Sequence, residues 1–123
     1  MNTKKKILIV EDNAELAKVY QSRFDLEGYE TEVVGDGEKA LAVALEFAPD
    51  LILLDVMMPQ ISGFDVLDIL KNTDKTKGVK IVLLTALSQL RDKEHAARLG
   101  ADDYLVKSEA SLDEIVACVR KYV

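Results

Sequence analysis

The chain has 123 residues, 49% hydrophobic and 31% charged, which suits one compact domain with its own core and excludes a disordered polypeptide. No stretch is apolar over the ~20 residues that a membrane-spanning helix needs. The Lys4-Lys5-Lys6 cluster leads only into Ile7 to Val10 before Glu11, too short a core for a secretory signal.

The net charge of −6, with no basic stripe beyond those three lysines, argues against direct binding to nucleic acid. Cys118 is the single cysteine and cannot form an internal disulfide. The expectation is a cytoplasmic protein that does not enter membranes.

Along the chain, five short apolar runs alternate with helical patterns. Ile7 to Val10 reads as a strand covered on both faces, and Leu16, Ala17, Tyr20 and Phe24 then recur at helical spacing, with Gly28 placed for a left-handed cap. Thr31 to Val34, with Glu30 and Glu32, suits an edge strand; Ala40, Leu41, Ala44, Leu45 and Ala48 mark the second helix. Leu51 to Leu54 is the third strand, Phe64, Leu67 and Leu70 the third helix, and Ile81 to Leu84 the fourth strand. Gln89 to Leu99 is a charged helical stretch closed by Gly100, and Tyr104 to Val106 is the last strand. Ser111 and Glu114 form a capping box ahead of Leu112, Ile115, Val116 and Val119. Strand and helix in alternation imply right-handed crossovers and a parallel sheet wrapped on both faces. The expected fold is α/β, flavodoxin-like (βα)5, doubly wound, with five parallel strands in the order 2-1-3-4-5 in a single domain over residues 1–123.

Four of the five strand runs stop at residues capable of phosphoryl chemistry: Glu11 and Asp12, Asp55, Thr85, and Lys107. In a parallel sheet these ends share one edge, and the winding reversal between the first and third strands opens a crevice there. Three clustered carboxylates raise one another's pKa and attract a hard divalent cation, Mg2+ in the first instance with Mn2+ as the alternative. Asp12 and Asp55 are expected as direct ligands, Glu11 as a ligand through water, and the Met57 backbone carbonyl as a neutral ligand. A carboxylate can also attack phosphorus to give an acyl phosphate. Two acid charges, the dication and Lys107 leave a net positive site before an anionic phosphoryl group is attached to Asp55. The Thr85 hydroxyl is placed to donate to a phosphoryl oxygen.

These residues resemble the receiver domain of two-component response regulators, the CheY-like family, over essentially the whole chain. The resemblance rests on Ile7-Leu-Ile-Val-Glu-Asp12, Pro49-Asp-Leu-Ile-Leu-Leu-Asp-Val-Met-Met-Pro59, Ser62-Gly63, Leu84-Thr-Ala86 and Gly100-Ala-Asp-Asp-Tyr-Leu-Val-Lys107. It implies Asp55 as phosphoacceptor, Glu11 and Asp12 as the metal pair, Thr85 as the switch hydroxyl and Lys107 as the phosphate-contacting lysine. Tyr104 resembles the family's rotameric aromatic. The implied partners are a histidine kinase or phosphotransfer protein, and a downstream protein or output domain at a face formed by Gln89 to Leu99, Tyr104 and the last helix. Such a domain is a switch that assists its own phosphorylation and dephosphorylation, more than an enzyme.

Three other readings fit less well. A haloacid-dehalogenase-like phosphatase needs a second acid two residues after its nucleophile, where Met57 stands. A flavin binder needs a phosphate loop where Glu11 to Glu15 would repel one. An adaptor that works without phosphorylation would have lost part of the cluster, and all five members are present.

Three features depart from the family pattern or flank its motifs. Lys107 is followed by Ser108 instead of proline, so the bond is expected either as trans with a shifted loop or as a retained cis peptide. Met57 and Leu87, each two residues beyond a site residue, are expected to keep water from the phosphoryl group. The Gln89 to Leu99 stretch has few apolar residues and reads as the part that moves. His95 is expected at the surface and Cys118 as a small core residue.

Overall fold

The computed structural model of the protein describes residues 4–123, so residues 1–3 of the expected domain lie outside the described residues. The elements are β1 (Lys6–Val10), α1 (Ala14–Leu26), β2 (Glu30–Val34), α2 (Gly37–Phe47), β3 (Leu51–Leu54), α3 (Gly63–Lys71), β4 (Lys80–Thr85), α4 (Leu90–Arg98), β5 (Asp103–Val106) and α5 (Leu112–Tyr122). All strand pairs are parallel and the order is β2-β1-β3-β4-β5, as expected. No helix among the described residues is long and apolar enough to cross a membrane.

Strand alternation splits the core in two. Leu8, Val10, Ile52, Leu54, Ile81 and Leu83 face the layer built on Ala40, Ala44, Val66, Leu67, Leu70 and Ala96 of α2, α3 and α4. Ile7, Ile9, Leu51, Leu53, Val82 and Leu84 face Tyr20 and Phe24 of α1 and Ile115, Val116, Cys118 and Val119 of α5. Both faces of the three central strands are thus buried, which is why their sequences are continuous apolar runs. β2 and β5 are the half-exposed edges.

Local chemistry sets the helix starts. Asn13, Asp36, Ser62 and Ser111 each accept a backbone N–H of the first turn, and Ser111 with Glu114 closes the expected capping box. Gly28 and Gly100 follow α1 and α4 with φ of 93° and 98°, the left-handed conformation that glycine adopts without penalty.

One expectation needs correction. Ala48 is exposed, because α2 stops at Phe47 ahead of Pro49 and leaves Ala48 outside the helix, while Leu45, inside the helix, faces away from the core. Leu90, the first residue of α4, is 69% exposed, so Ala96 is the one buried residue in that helix. Cys118 is buried as expected, yet it is also a donor: its thiol bonds the Asp103 carboxylate at 3.4 Å. The Lys107-Ser108 bond is trans, as are all peptide bonds among the described residues.

Candidate functional site

Register brings the reactive residues together. Val10 pairs with Leu54, so Glu11 and Asp55 leave neighbouring strands side by side, and the Asp55 N–H donates to the Val10 carbonyl at 3.1 Å. Thr85 pairs with Val106, and the Lys107 N–H donates to the Thr85 carbonyl at 2.8 Å, which sets Lys107 one step further along the same edge.

The lysine closes the cluster. Its Nζ lies 2.6 Å from Glu11 Oε1 and 2.8 Å from Asp55 Oδ2. Both carboxylates are nearly buried, and each takes one backbone donor as well: Asn13 N–H to Glu11 Oε2 at 3.0 Å and Met57 N–H to Asp55 Oδ1 at 3.0 Å. Burial raises the Glu11 carboxyl above its ordinary range, against the pull of Lys107 and the Asn13 amide. Burial works to lower the Lys107 ammonium, but its bonds to Asp55 and Glu11 outweigh this and hold it above its usual value.

Asp12 is exposed and stands at the solvent side of the cluster. Glu11, Asp12 and Asp55 each offer a carboxylate oxygen, all within 4.8 Å of one another. An all-oxygen, acidic donor set of this spacing fits a hard divalent cation. Met57, whose carbonyl was the expected neutral ligand, lies on the loop after Asp55 with its side chain 55% exposed.

The loop holding Asp55 is braced from behind. The Gly63 N–H donates to the Val56 carbonyl at 2.9 Å, and a Cβ on Gly63 would collide with the Asp55 carbonyl and stand 2.6 Å from the Val56 Cα. Only glycine lets the start of α3 come this close.

Thr85 is fully buried, on the sheet face opposite Leu84. Its hydroxyl accepts the Leu87 N–H at 3.4 Å, a long bond, while the Leu87 carbonyl accepts the Tyr104 hydroxyl at 2.8 Å. Leu87 therefore links Thr85 to Tyr104 through its own backbone. Burial, then Asp92 and Asp55, pushes the Tyr104 phenol up to about 12, so it remains a donor at any physiological pH.

The expected site residues fall in two groups, and of Met57 the N–H, not the carbonyl, is what meets Asp55. Glu11, Asp55 and Lys107 meet in one cluster with Asp12 at its mouth, and Thr85 and Tyr104 are joined through Leu87. Two contributors were missed in the sequence. Gly63 was noted only within a motif, and Tyr20 only as a core residue, yet Tyr20 lines the space beneath Glu11 and Asp55. A hydroxyl-bearing residue on the otherwise apolar inner face of α1, with Leu16, Ala17 and Phe24, was the available signal.

An acid cluster with its own counter-cation, at the winding reversal of a parallel sheet, defines the class of phosphoacceptor domains. The chain belongs to the response regulator receiver domain family, whose profile matches residues 7–120. It is 36% identical to the DNA-binding dual master transcriptional regulator RpaA of Synechocystis, an alignment covering 94% of this chain and 47% of that protein. It is 41% identical to the DNA-binding response regulator MtrA of Mycolicibacterium paratuberculosis, over 95% of this chain and 50% of that protein. The chain thus spans about half the length of these curated relatives. A crystal structure of the Vibrio cholerae chemotaxis protein CheY4 superposes with a TM-score of 0.92 at 26% identity, covering 98% of this chain and 100% of the other. The protein is therefore a receiver domain of the two-component type, a phosphoacceptor switch.

Proposed function

We propose that Asp55 takes a phosphoryl group from a phosphohistidine of a histidine kinase or phosphotransfer protein, and that this shifts the Thr85–Leu87–Tyr104 linkage. The observation that carries the reading is the Glu11–Lys107–Asp55 cluster. In the transfer, an Asp55 carboxylate oxygen forms an O–P bond as the donor's P–N bond breaks, its electron pair leaving with the imidazole, which takes up a proton. Lys107, already hydrogen-bonded to Asp55, then turns to the phosphoryl oxygens. Glu11, Asp12, Asp55 and the Met57 carbonyl would hold Mg2+, or Mn2+ in its place, which supplies charge neutralisation at the phosphoryl group.

The long Leu87–Thr85 bond is the weak link. When the Thr85 hydroxyl turns to donate to a phosphoryl oxygen, Leu87 loses a partner and the Tyr104 hydroxyl loses its fixed anchor. The change reaches the face of α4, Tyr104 and α5, where a downstream protein or output domain would read it. In this reading the 1–123 chain is a single cytoplasmic domain that assists its own phosphorylation without being an enzyme toward other substrates, and it does not itself bind nucleic acid.

The test is incubation with acetyl phosphate and Mg2+, followed by intact mass. Wild type should gain one phosphoryl group, and Asp55→Ala or excess chelator should prevent it. Wild type without a gain would favour an adaptor that acts without phosphorylation.

A further inference from the structure

Tyr20 sits under the acid cluster and has no role in the reading above. Its side chain is 5% exposed, and its ring belongs to the core layer between α1, α5 and the sheet. It lines one narrow cleft, too small for a water, together with Glu11, Asp55, Ile9, Val10, Leu53 and Leu84. Apart from the two acids the other residues there are aliphatic, so a leucine would serve for packing alone. A phenol adds a hydroxyl to a lining whose other polar side chains are the two acids.

The four hydrogen bonds that hold the cluster leave the Tyr20 hydroxyl unused. Lys107 has three N–H donors and spends two, on Glu11 and Asp55. Burial raises the phenol above its ordinary value, Lys107 pulls it back, and Glu11 and Asp55 raise it further, so the ring lies within the field of all three. Phosphorylation would change what Lys107 can hold, since one Asp55 oxygen would become the bridging oxygen of an acyl phosphate and lose its carboxylate charge.

We infer that Tyr20 is a positioning residue for Lys107, its hydroxyl accepting the third N–H of the ammonium once a phosphoryl group stands on Asp55. The inference rests on Asp55 being the phosphoacceptor. Tyr20 touches neither the phosphodonor nor the metal in this role; it fixes where the ammonium can go.

The test is a double-mutant cycle of wild type, Tyr20→Phe, Lys107→Arg and the double variant, with acetyl phosphate and Mg2+ as reagents and phosphorylation rate read by intact mass. Tyr20→Phe keeps the ring, so its thermal midpoint should stay close to that of wild type. Its rate should fall roughly tenfold, the effect of one lost hydrogen bond to a charged group, while the same change in the Lys107→Arg background should have little effect. An equal loss in both backgrounds, or none in either, overturns the inference. The same cycle read as affinity for beryllium fluoride with Mg2+ by NMR titration needs no turnover, and so decides the matter even where the Lys107→Arg rate is too slow to measure. Failure of wild type to gain phosphate would overturn the phosphoacceptor reading and this inference with it; a phosphorylated wild type with an indifferent Tyr20→Phe would overturn this inference alone.

Discussion

Asp103 shows how far a single side chain on the proposed signalling face is committed within the fold. Its carboxylate accepts the Tyr104 N–H at 2.8 Å, the Tyr122 hydroxyl at 3.0 Å and the Cys118 thiol, with Lys121 at 3.5 Å. Burial works to raise its pKa, but these donors outweigh it and hold the group below its ordinary 3.8. As the pH falls, the unfolded chain therefore takes up this proton before the folded chain does. The stabilisation is complete above the ordinary carboxylate value and is lost as the pH drops through the depressed one. Urea unfolding below about pH 4 should show a steeper loss of stability in wild type than in Asp103→Asn. At the other end of the molecule, Met57 and Leu87 bear on signal lifetime. Leu87 is fixed at both backbone ends and packed on the core, and neither side chain can orient a water for attack on the acyl phosphate. We predict a phosphoryl half-life of minutes or longer at neutral pH, followed by intact mass after donor removal; decay within seconds would count against it.

At the scale of elements, the contrast lies between α3 and α4. The start of α3 is pressed against the phosphoacceptor loop, so Gly63→Ala should cost about 1–3 kcal/mol in denaturant unfolding through backbone displacement and should slow phosphorylation as Asp55 shifts. α4 is held loosely: its N-cap Gln89 makes no side-chain bond, and Ala96 alone is buried. His95 is exposed, as expected, but its ring lies tilted against Phe64 of α3 with centroids 4.4 Å apart. Amides of α4 should exchange faster than those of α5, whose Ile115, Val116, Cys118 and Val119 are buried; equal protection would contradict a mobile α4. Order and type of every element were legible in the sequence because central strands buried on both faces must be continuous apolar runs, because the helical stretches between them repeat at helical spacing, and because Ser111 with Glu114 announces the last helix. The end of α2 was not, since Ala48 continues a helical period from Ala44 that Pro49 cuts short.

For the whole molecule, the sheet separates chemistry from readout. Glu11, Asp55 and Lys107 extend strand positions that face α1 and α5, as Ile9, Leu53 and Leu105 do, whereas Thr85 follows Ile81 and Leu83 on the face toward α3 and α4. In the proposed switch, a phosphoryl group on one side is therefore sensed by a threonine that belongs to the other. The residues of the site were legible from where the strands end, because parallel strands put those ends on one edge. Their pairing was not: spacing along the chain does not reveal that Lys107 bridges Glu11 and Asp55, or that Tyr20 lies beneath them, since both depend on how α1 and β5 pack across the sheet. The central claim is that Asp55 is the group that receives the phosphoryl. It is tested most directly by phosphorylating the wild-type chain with acetyl phosphate and Mg2+, reducing it with borohydride, and sequencing the peptides by mass spectrometry. The account predicts homoserine at position 55 and at no other carboxylate; an unchanged Asp55 with label at Glu11, Asp12 or elsewhere would contradict it.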